Sequence, residues 1–324
     1  MRQSTPAIAA LLGLLLAGCV AQPRGRDLAA EYYNIGNAFL ELGRYEKALD
    51  AFQDALRLDP GMVKADYNLA LTHARMKKLP EAEAILRRLL ASDPANAALL
   101  STLAWAYHLG GKDDEALAQY DAVLTLAPET ADAWYNSALI LWKGGRNEEA
   151  LRHFRRLLEL APEDPQGLLG AGSLLLAAGE LAGARDHLER YLAKKPDDAG
   201  ARYALADCLE QQRSFSRALG EYDRIIAKDP AQAGAWFGRA RLLLTVVQDP
   251  DPGLESLRRA LALGFSDSAA ARALLDSDGL LERESVEAAL REKGLPAEQA
   301  APAASSAPAA APATAPVAAP PAAP

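Results

Sequence analysis

The chain reads as an all-α solenoid assembled from repeated helix-turn-helix units, and three regularities carry that reading. Six prolines, Pro60, Pro94, Pro128, Pro162, Pro196 and Pro230, stand 34 residues apart with no insertion or deletion between them. Twelve residues before each lies an alanine: Ala48, Ala82, Ala116, Ala150, Ala184 and Ala218. Eight before each lies a ring or a leucine: Phe52, Leu86, Tyr120, Phe154, Leu188 and Tyr222. So strict a period marks stacked units, none of which can bury its apolar face alone. Alanine and leucine dominate and aromatic residues make up only 6%, a mixture that favours packed helices over sheet.

Each window holds two apolar-periodic stretches with a turn between them, filled by glycine at Gly43, Gly111, Gly145 and Gly179. A helix of about 14 residues is roughly 20 Å long, so helix, turn, helix and a proline-marked turn exhaust the period. Proline just past a helix end cannot continue the hydrogen-bond ladder. In the second helix a small residue is needed where two axes approach, and a large one four residues on fills the space beside it. The small residue facing this pair from the first helix is Gly36, Ala70, Ala104, Ala138, Gly172 or Ala206 in successive units.

The first unit carries Tyr32, Ile35-Gly36, Phe39, Ala48, Phe52, Ala55 and Pro60. This set resembles the tetratricopeptide repeat (TPR). The resemblance implies a right-handed superhelical solenoid of about seven repeats, with units at 29–62, 63–96, 97–130, 131–164, 165–198, 199–232 and 233–266. The seventh begins regularly with Ala233, Trp236 and Ala240, then meets Asp249-Pro250-Asp251-Pro252, after which Gly253, Leu257 and Ala260 fall one residue late. A loosened last repeat suits a solenoid end. Two further helical stretches in 267–296 are expected to cap the last apolar face. Residues 297–324, nearly all alanine and proline, are expected to be disordered, extended and spacer-like. In the fifth unit Gly167, Gly170 and Gly172 each cost about 0.8–1 kcal/mol against alanine in a helix, which predicts a soft joint.

Residues 1–18 form a signal peptide, with Arg2 ahead of an apolar run from Ala7 to Leu16 that is too short to span a bilayer. Its end, Leu16-Ala17-Gly18-Cys19, looks like the lipobox of bacterial lipoproteins. That likeness implies lipidation of Cys19 and a periplasm-facing, membrane-anchored protein; Val20 after the cysteine favours the outer membrane over the inner. A tether over 19–28 then reaches on the order of 30 Å. The other cysteine, Cys208, has no disulfide partner in the chain and reads as a small buried hydrophobe.

A net charge of -8 without a basic stripe argues against nucleic acid. The four histidines, His73, His108, His153 and His187, sit in different units without metal-ligand spacing, and no phosphate loop or nucleophile elbow occurs. No metal, no cofactor and no catalysis are expected; the partners are proteins, through peptide segments or helices. In the resembled family the first helix of each unit lines a concave face. Carrying its positions over gives Tyr33 and Asn37; Lys64, Tyr67 and Leu71; Trp105 and His108; Tyr135, Leu139, Trp142 and Lys143; Tyr203 and Asp207; and Phe237. Rings suit such a surface because they bring area at little entropic cost. Asn34, Asn68 and Asn136 occupy a slot that is asparagine in many such repeats and read as framework. The register places Trp134 and Trp236 in the core and Trp105 and Trp142 in the groove.

The layout is similar to that of TPR lipoproteins which pilot secretins in type IV pilus systems or recruit peptidoglycan hydrolases. The expected function is an envelope scaffold or adaptor. A structural spacer and a small-molecule or lipid-binding accessory protein are the alternatives.

Overall fold

The computed structural model describes residues 25–295 and 317–323. The signal peptide, Cys19 and residues 297–316 of the tail lie outside the described residues. Sixteen α-helices and one π-turn make up the described part, which contains no strand. Contacts divide the chain into two compact units, one of residues 1–128 with 318–324 and one of residues 129–317.

The first unit holds α1 (Gly25–Glu41), α2 (Tyr45–Leu58), α3 (Val63–Arg75), α4 (Leu79–Ser92), α5 (Ala97–Leu109) and α6 (Asp113–Leu126). The second holds α7 (Ala131–Lys143), α8 (Asn147–Leu160), α9 (Pro165–Ala177), α10 (Leu181–Lys194), α11 (Ala199–Gln211), α12 (Phe215–Lys228), α13 (Ala233–Leu242), α14 (Pro250–Ala262), α15 (Ser268–Leu275) and α16 (Arg283–Glu292). Within each unit every odd helix packs on the even helix that follows, and each even helix on the next odd one, as far as α14. Six of the even helices, from α2 to α12, end two residues before the periodic proline.

The turn between paired helices has one geometry. Gly43, Gly111, Gly145 and Gly179 have φ of 67°, 72°, 75° and 76°, and the same slot is held by Lys77 at 59° and Arg213 at 57°. In all six the next amide donates to a carbonyl five residues back, as in Lys78 N to His73 O and Lys112 N to Tyr107 O, both 2.9 Å. This closure caps the first helix and aims the chain into the second.

In the seventh repeat the left-handed residue is Gln248, at 62°, one place later than the period demands. The cause is the π-turn Leu243–Val247, which inserts one residue before the chain reverses, so that Asp249 N reaches back six residues to Leu243 O at 3.0 Å. The slip seen at Gly253, Leu257 and Ala260 follows from it. These three pack correctly despite the shift: all are buried, with Gly253 closest to Leu244.

Packing follows the small-and-large alternation. Ala48, Phe52, Ala82, Leu86, Ala116, Ala150, Phe154, Ala184, Leu188 and Ala218 are all 0% exposed. A Cβ on Gly36 would meet Phe52 Cε1 at 2.5 Å, and one on Gly170 would meet Phe154 Cζ at 2.4 Å. In the fifth repeat a Cβ on Gly167 or Gly172 would likewise meet Leu158 or Leu188, at 3.0 or 3.1 Å. Helix α9 runs unbroken through them. Cys208 is a free thiol, fully buried, with burial pushing its pKa up. Helices α15 and α16 close the end as expected, with Ala271, Leu274, Val286 and Leu290 at 0% exposure against Leu244, Leu257 and Ala260.

Candidate functional site

In the first unit the odd helices α1, α3 and α5 put a row of polar tips on one line. Asn68 Nδ2 donates to Asn37 Oδ1 at 2.7 Å and lies 3.2 Å from Tyr33 Oη. Thr102 Oγ1 lies 3.0 Å from Tyr67 Oη. Asn68 and Thr102 are 0% exposed, Tyr33 1% and Tyr67 5%. The Tyr33 ring is packed within its own repeat, tilted against Phe52 with centroids 5.9 Å apart. Burial raises the Tyr67 pKa, so its hydroxyl keeps its proton and acts as a donor at any physiological pH. Lys64 Nζ stands 4.4 Å from the Tyr33 ring centroid, a cation-π contact at the open edge.

This row holds a piece of polypeptide. Residues 318–323 run along it without helix or turn of their own. The Tyr67 hydroxyl donates to Pro321 O at 3.0 Å and the Tyr33 hydroxyl to Ala323 O at 2.5 Å. The Asn68 carboxamide takes both backbone groups of one residue, accepting from Ala323 N at 2.8 Å and approaching Ala323 O at 3.3 Å. Pro320 is buried beside them. The expectation of a disordered tail up to residue 324 therefore needs correcting for 317–323. Its composition cannot build a core, but its backbone finds donors and acceptors already arranged on the repeats.

The other groove candidates divide by exposure. Leu71 at 0%, Trp105 at 6% and Leu139 at 8% are core residues with almost no free surface. The Trp105 indole nitrogen is buried without a hydrogen-bond partner among the described residues. Phe237 also needs correction: its ring stacks on Phe265, with centroids 4.0 Å apart and planes within 8°, inside the C-terminal core. Tyr135 is 5% exposed and burial raises its pKa to about 12. Trp142 is half-buried, edge-on to Phe154 at 6.1 Å. Lys143 and Asp207 are exposed, and Tyr203 is half-buried against Tyr222 at 6.1 Å. His108 is half-buried, with Nδ1 2.6 Å from Asp113. The assignment of tryptophans to core and groove is partly reversed, because Trp134 and Trp236 are half-buried while Trp105 is enclosed.

Asn68 is the residue that sequence reasoning passed over. Its signal was present in the asparagine of the repeat register, read as framework; what the register could not give is that its carboxamide faces a backbone. Among the described residues no cluster of histidine, cysteine and carboxylate has metal-binding geometry, and no helix is long and apolar enough to cross a membrane.

Comparison with known proteins agrees with the geometry. The tetratricopeptide repeat profile matches residues 33–97, 67–129, 110–165, 169–233 and 211–245, together more than half of the chain. Over 148 residues the chain is 29% identical to the type IV pilus assembly protein PilF of Pseudomonas aeruginosa, covering 41% of this chain and 58% of that protein. Sperm-associated antigen 1 of the mouse is 40% identical over 75 residues, 23% of this chain and 8% of its own length. The chain thus spans less than two thirds of the length of these curated relatives. Among solved structures, Pseudomonas aeruginosa PilF superposes with a TM-score of 0.56 at 22% identity, covering 64% of this chain and 94% of that one. YrrB, described as a TPR protein with an unusual peptide-binding site, gives 0.53 at 21% identity over 58% of this chain and 96% of its own. At such identities the structural likeness speaks for the fold. With the 34-residue period, the paired helices and the profile in agreement, the chain belongs to the tetratricopeptide repeat family.

Proposed function

We propose that the protein is a lipid-anchored adaptor that binds polypeptide segments of other proteins along its odd helices and serves the assembly of a cell-envelope structure. It acts by binding and not by catalysis. The observation that carries this reading is the row formed by Tyr33, Tyr67 and Asn68, whose hydroxyls and carboxamide meet the backbone groups of a polypeptide segment. Donors and acceptors pre-set on rigid helices lose little entropy when they engage a chain, which suits a recognition surface. Support for the envelope comes from the lipobox-like Leu16-Ala17-Gly18-Cys19 and from the similarity to a type IV pilus assembly protein. Anchoring through Cys19 would hold the start of α1 at Gly25, six residues on, within about 20 Å of the bilayer and leave the rest of the array free to reach its partner.

Photo-crosslinking in cells from a reactive residue at position 37 or 143 tests the reading. The expected product is an envelope-assembly protein whose yield falls when Tyr67 is replaced by alanine. Crosslinks that ignore this replacement, or that fall only on proteins outside the envelope, refute the groove assignment. Cys19→Ser should release the protein from membranes; retention would refute the anchor.

A further inference from the structure

The segment in the groove is the protein's own, and its chemistry defines what else the groove would accept. Pro320 and Pro321 fix φ near −65° and push the residue before each away from helix, so this stretch is held extended at little entropic cost. Four backbone-directed contacts then set a register. Tyr67 reads the carbonyl of Pro321, while Tyr33 and Asn68 together read both the N–H and the C=O of Ala323. The N–H contact demands a residue other than proline at the second position after Pro321. Side chains contribute little beyond the buried Pro320 ring, so the pattern is Pro-Pro-small-small with the last residue not proline.

From this we infer that the C-terminal segment 318–323 is an intramolecular occupant of the groove formed by α1, α3 and α5, and that partners of the same chemistry, extended proline- and alanine-rich segments, bind by displacing it. The inference rests on the adaptor reading and adds to it both a ligand class and a control. Twenty-one residues, 296–316, join the last described residue of the cap to the segment's first described residue. Occupancy by a covalently linked segment acts through an effective concentration, which reaches the millimolar range for short linkers. If the tethered segment has a Kd about a tenth of that concentration, an external peptide binds about tenfold more weakly than to an empty groove.

The test uses the full-length chain and a fluorescent peptide with the sequence of residues 314–324. Ala323→Pro removes the N–H that Asn68 accepts and puts a ring in its place, and Pro320→Asp puts a charge where a ring is buried. Both changes lie outside the repeats and leave their folding untouched. The double tail variant should bind the peptide about tenfold more tightly than the wild type by fluorescence anisotropy, and adding Asn68→Ala to that variant should abolish the gain. A labelled peptide carrying proline in place of Ala323 should bind neither protein. Equal affinity of the wild type and the tail variant overturns the intramolecular occupancy. No peptide binding to either overturns the ligand class, while the in-cell crosslinks of the adaptor reading stand or fall separately. Self-association of the wild type, lost in the tail variant by sedimentation velocity, would show the segment seated in a second copy and also overturn the proposal as stated.

Discussion

Replacing Lys77 and Arg213 by glycine should stabilise the protein, although both changes delete a side chain. The two residues occupy the turn slot that glycine fills in the four other regular repeats, with φ of 59° and 57°. Both are exposed, so no packing is lost. A residue with a Cβ in the left-handed region is strained by about 1–2 kcal/mol. Glycine removes that strain and gives back about 0.5–1 kcal/mol through the greater freedom of the unfolded chain. The net gain is about 0.5–1 kcal/mol per site, and the sites lie in different compact units, so the effects should add. With a urea m-value near 2 kcal/mol/M, each single variant raises the midpoint by about 0.25–0.5 M. Because repeat arrays can unfold in parts, the local readout is hydrogen exchange at Lys78 N–H and Ser214 N–H, which bond to His73 O and Leu209 O across the turn. The converse change, Gly111→Ala, isolates the backbone effect, since a Cβ there meets nothing within 4 Å. It should cost about 1 kcal/mol. Lower midpoints for the glycine variants, or a neutral Gly111→Ala, would refute the reasoning that backbone strain governs this slot.

Further outcomes follow from the packing and the titrating groups. Gly170→Ala should destabilise by about 1–3 kcal/mol, because its Cβ would lie 2.4 Å from Phe154 Cζ, whereas Gly220→Ala, in open space within α12, should stabilise by about 0.5–1 kcal/mol. Thermal melts distinguish the pair, and hydrogen exchange over 165–178 decides whether the fifth repeat is softened by its glycines or held tight by the contacts they permit. Burial lowers the pKa of both His73 and His187 below the ordinary value of 6.5. Each therefore contributes stability that is complete above pH 6.5 and lost as the pH falls through the folded pKa, since the unfolded chain takes up the proton first. Melting temperature should decline below pH 6.5, and the decline should flatten in a His73→Gln, His187→Gln variant; an unchanged pH profile would remove histidine desolvation as its cause. Arg202→Met should destabilise the second unit, because Glu221, 5% exposed, would lose the guanidinium 2.5 Å away and keep only the exposed Arg224. Restoring the wild-type midpoint by adding Glu221→Gln would confirm that the unpaired charge is responsible.

Much of the fold was legible because a repeat states its rule several times over. The prolines fix where second helices end, the alanines and rings fix which faces meet, and the glycines fix the turn, so the ends of the second helices and the alanine-and-ring core set agree with the 34-residue register. The one-residue slip after Pro230 could also be read, although its cause, a π-turn, could not. Helical periodicity in the sequence is the same on both sides of such an insertion. Of the groove positions read from the register, Tyr33 and Tyr67 meet the tail segment, while Leu71, Trp105, Leu139 and Phe237 are enclosed. Tyr33 and Tyr67 were picked for their rings, yet in the structure the rings are packed away and the hydroxyls make the contacts. Trp105 and Phe237 were chosen on the same grounds and are enclosed, because exposure at a groove position depends on the side chains of neighbouring repeats.

By itself the sequence determined the repeat, its register, the all-helical class and a net charge of -8, all properties that local pattern and composition encode directly. The seating of residues 318–323 against Tyr33, Tyr67 and Asn68 was decided only in three dimensions. Those contacts run from side chains to carbonyls that every residue type carries and to one N–H that only proline lacks, so composition leaves little trace of them. They require two helices, 34 residues apart in sequence, to be stacked before the acceptors and donors fall into line.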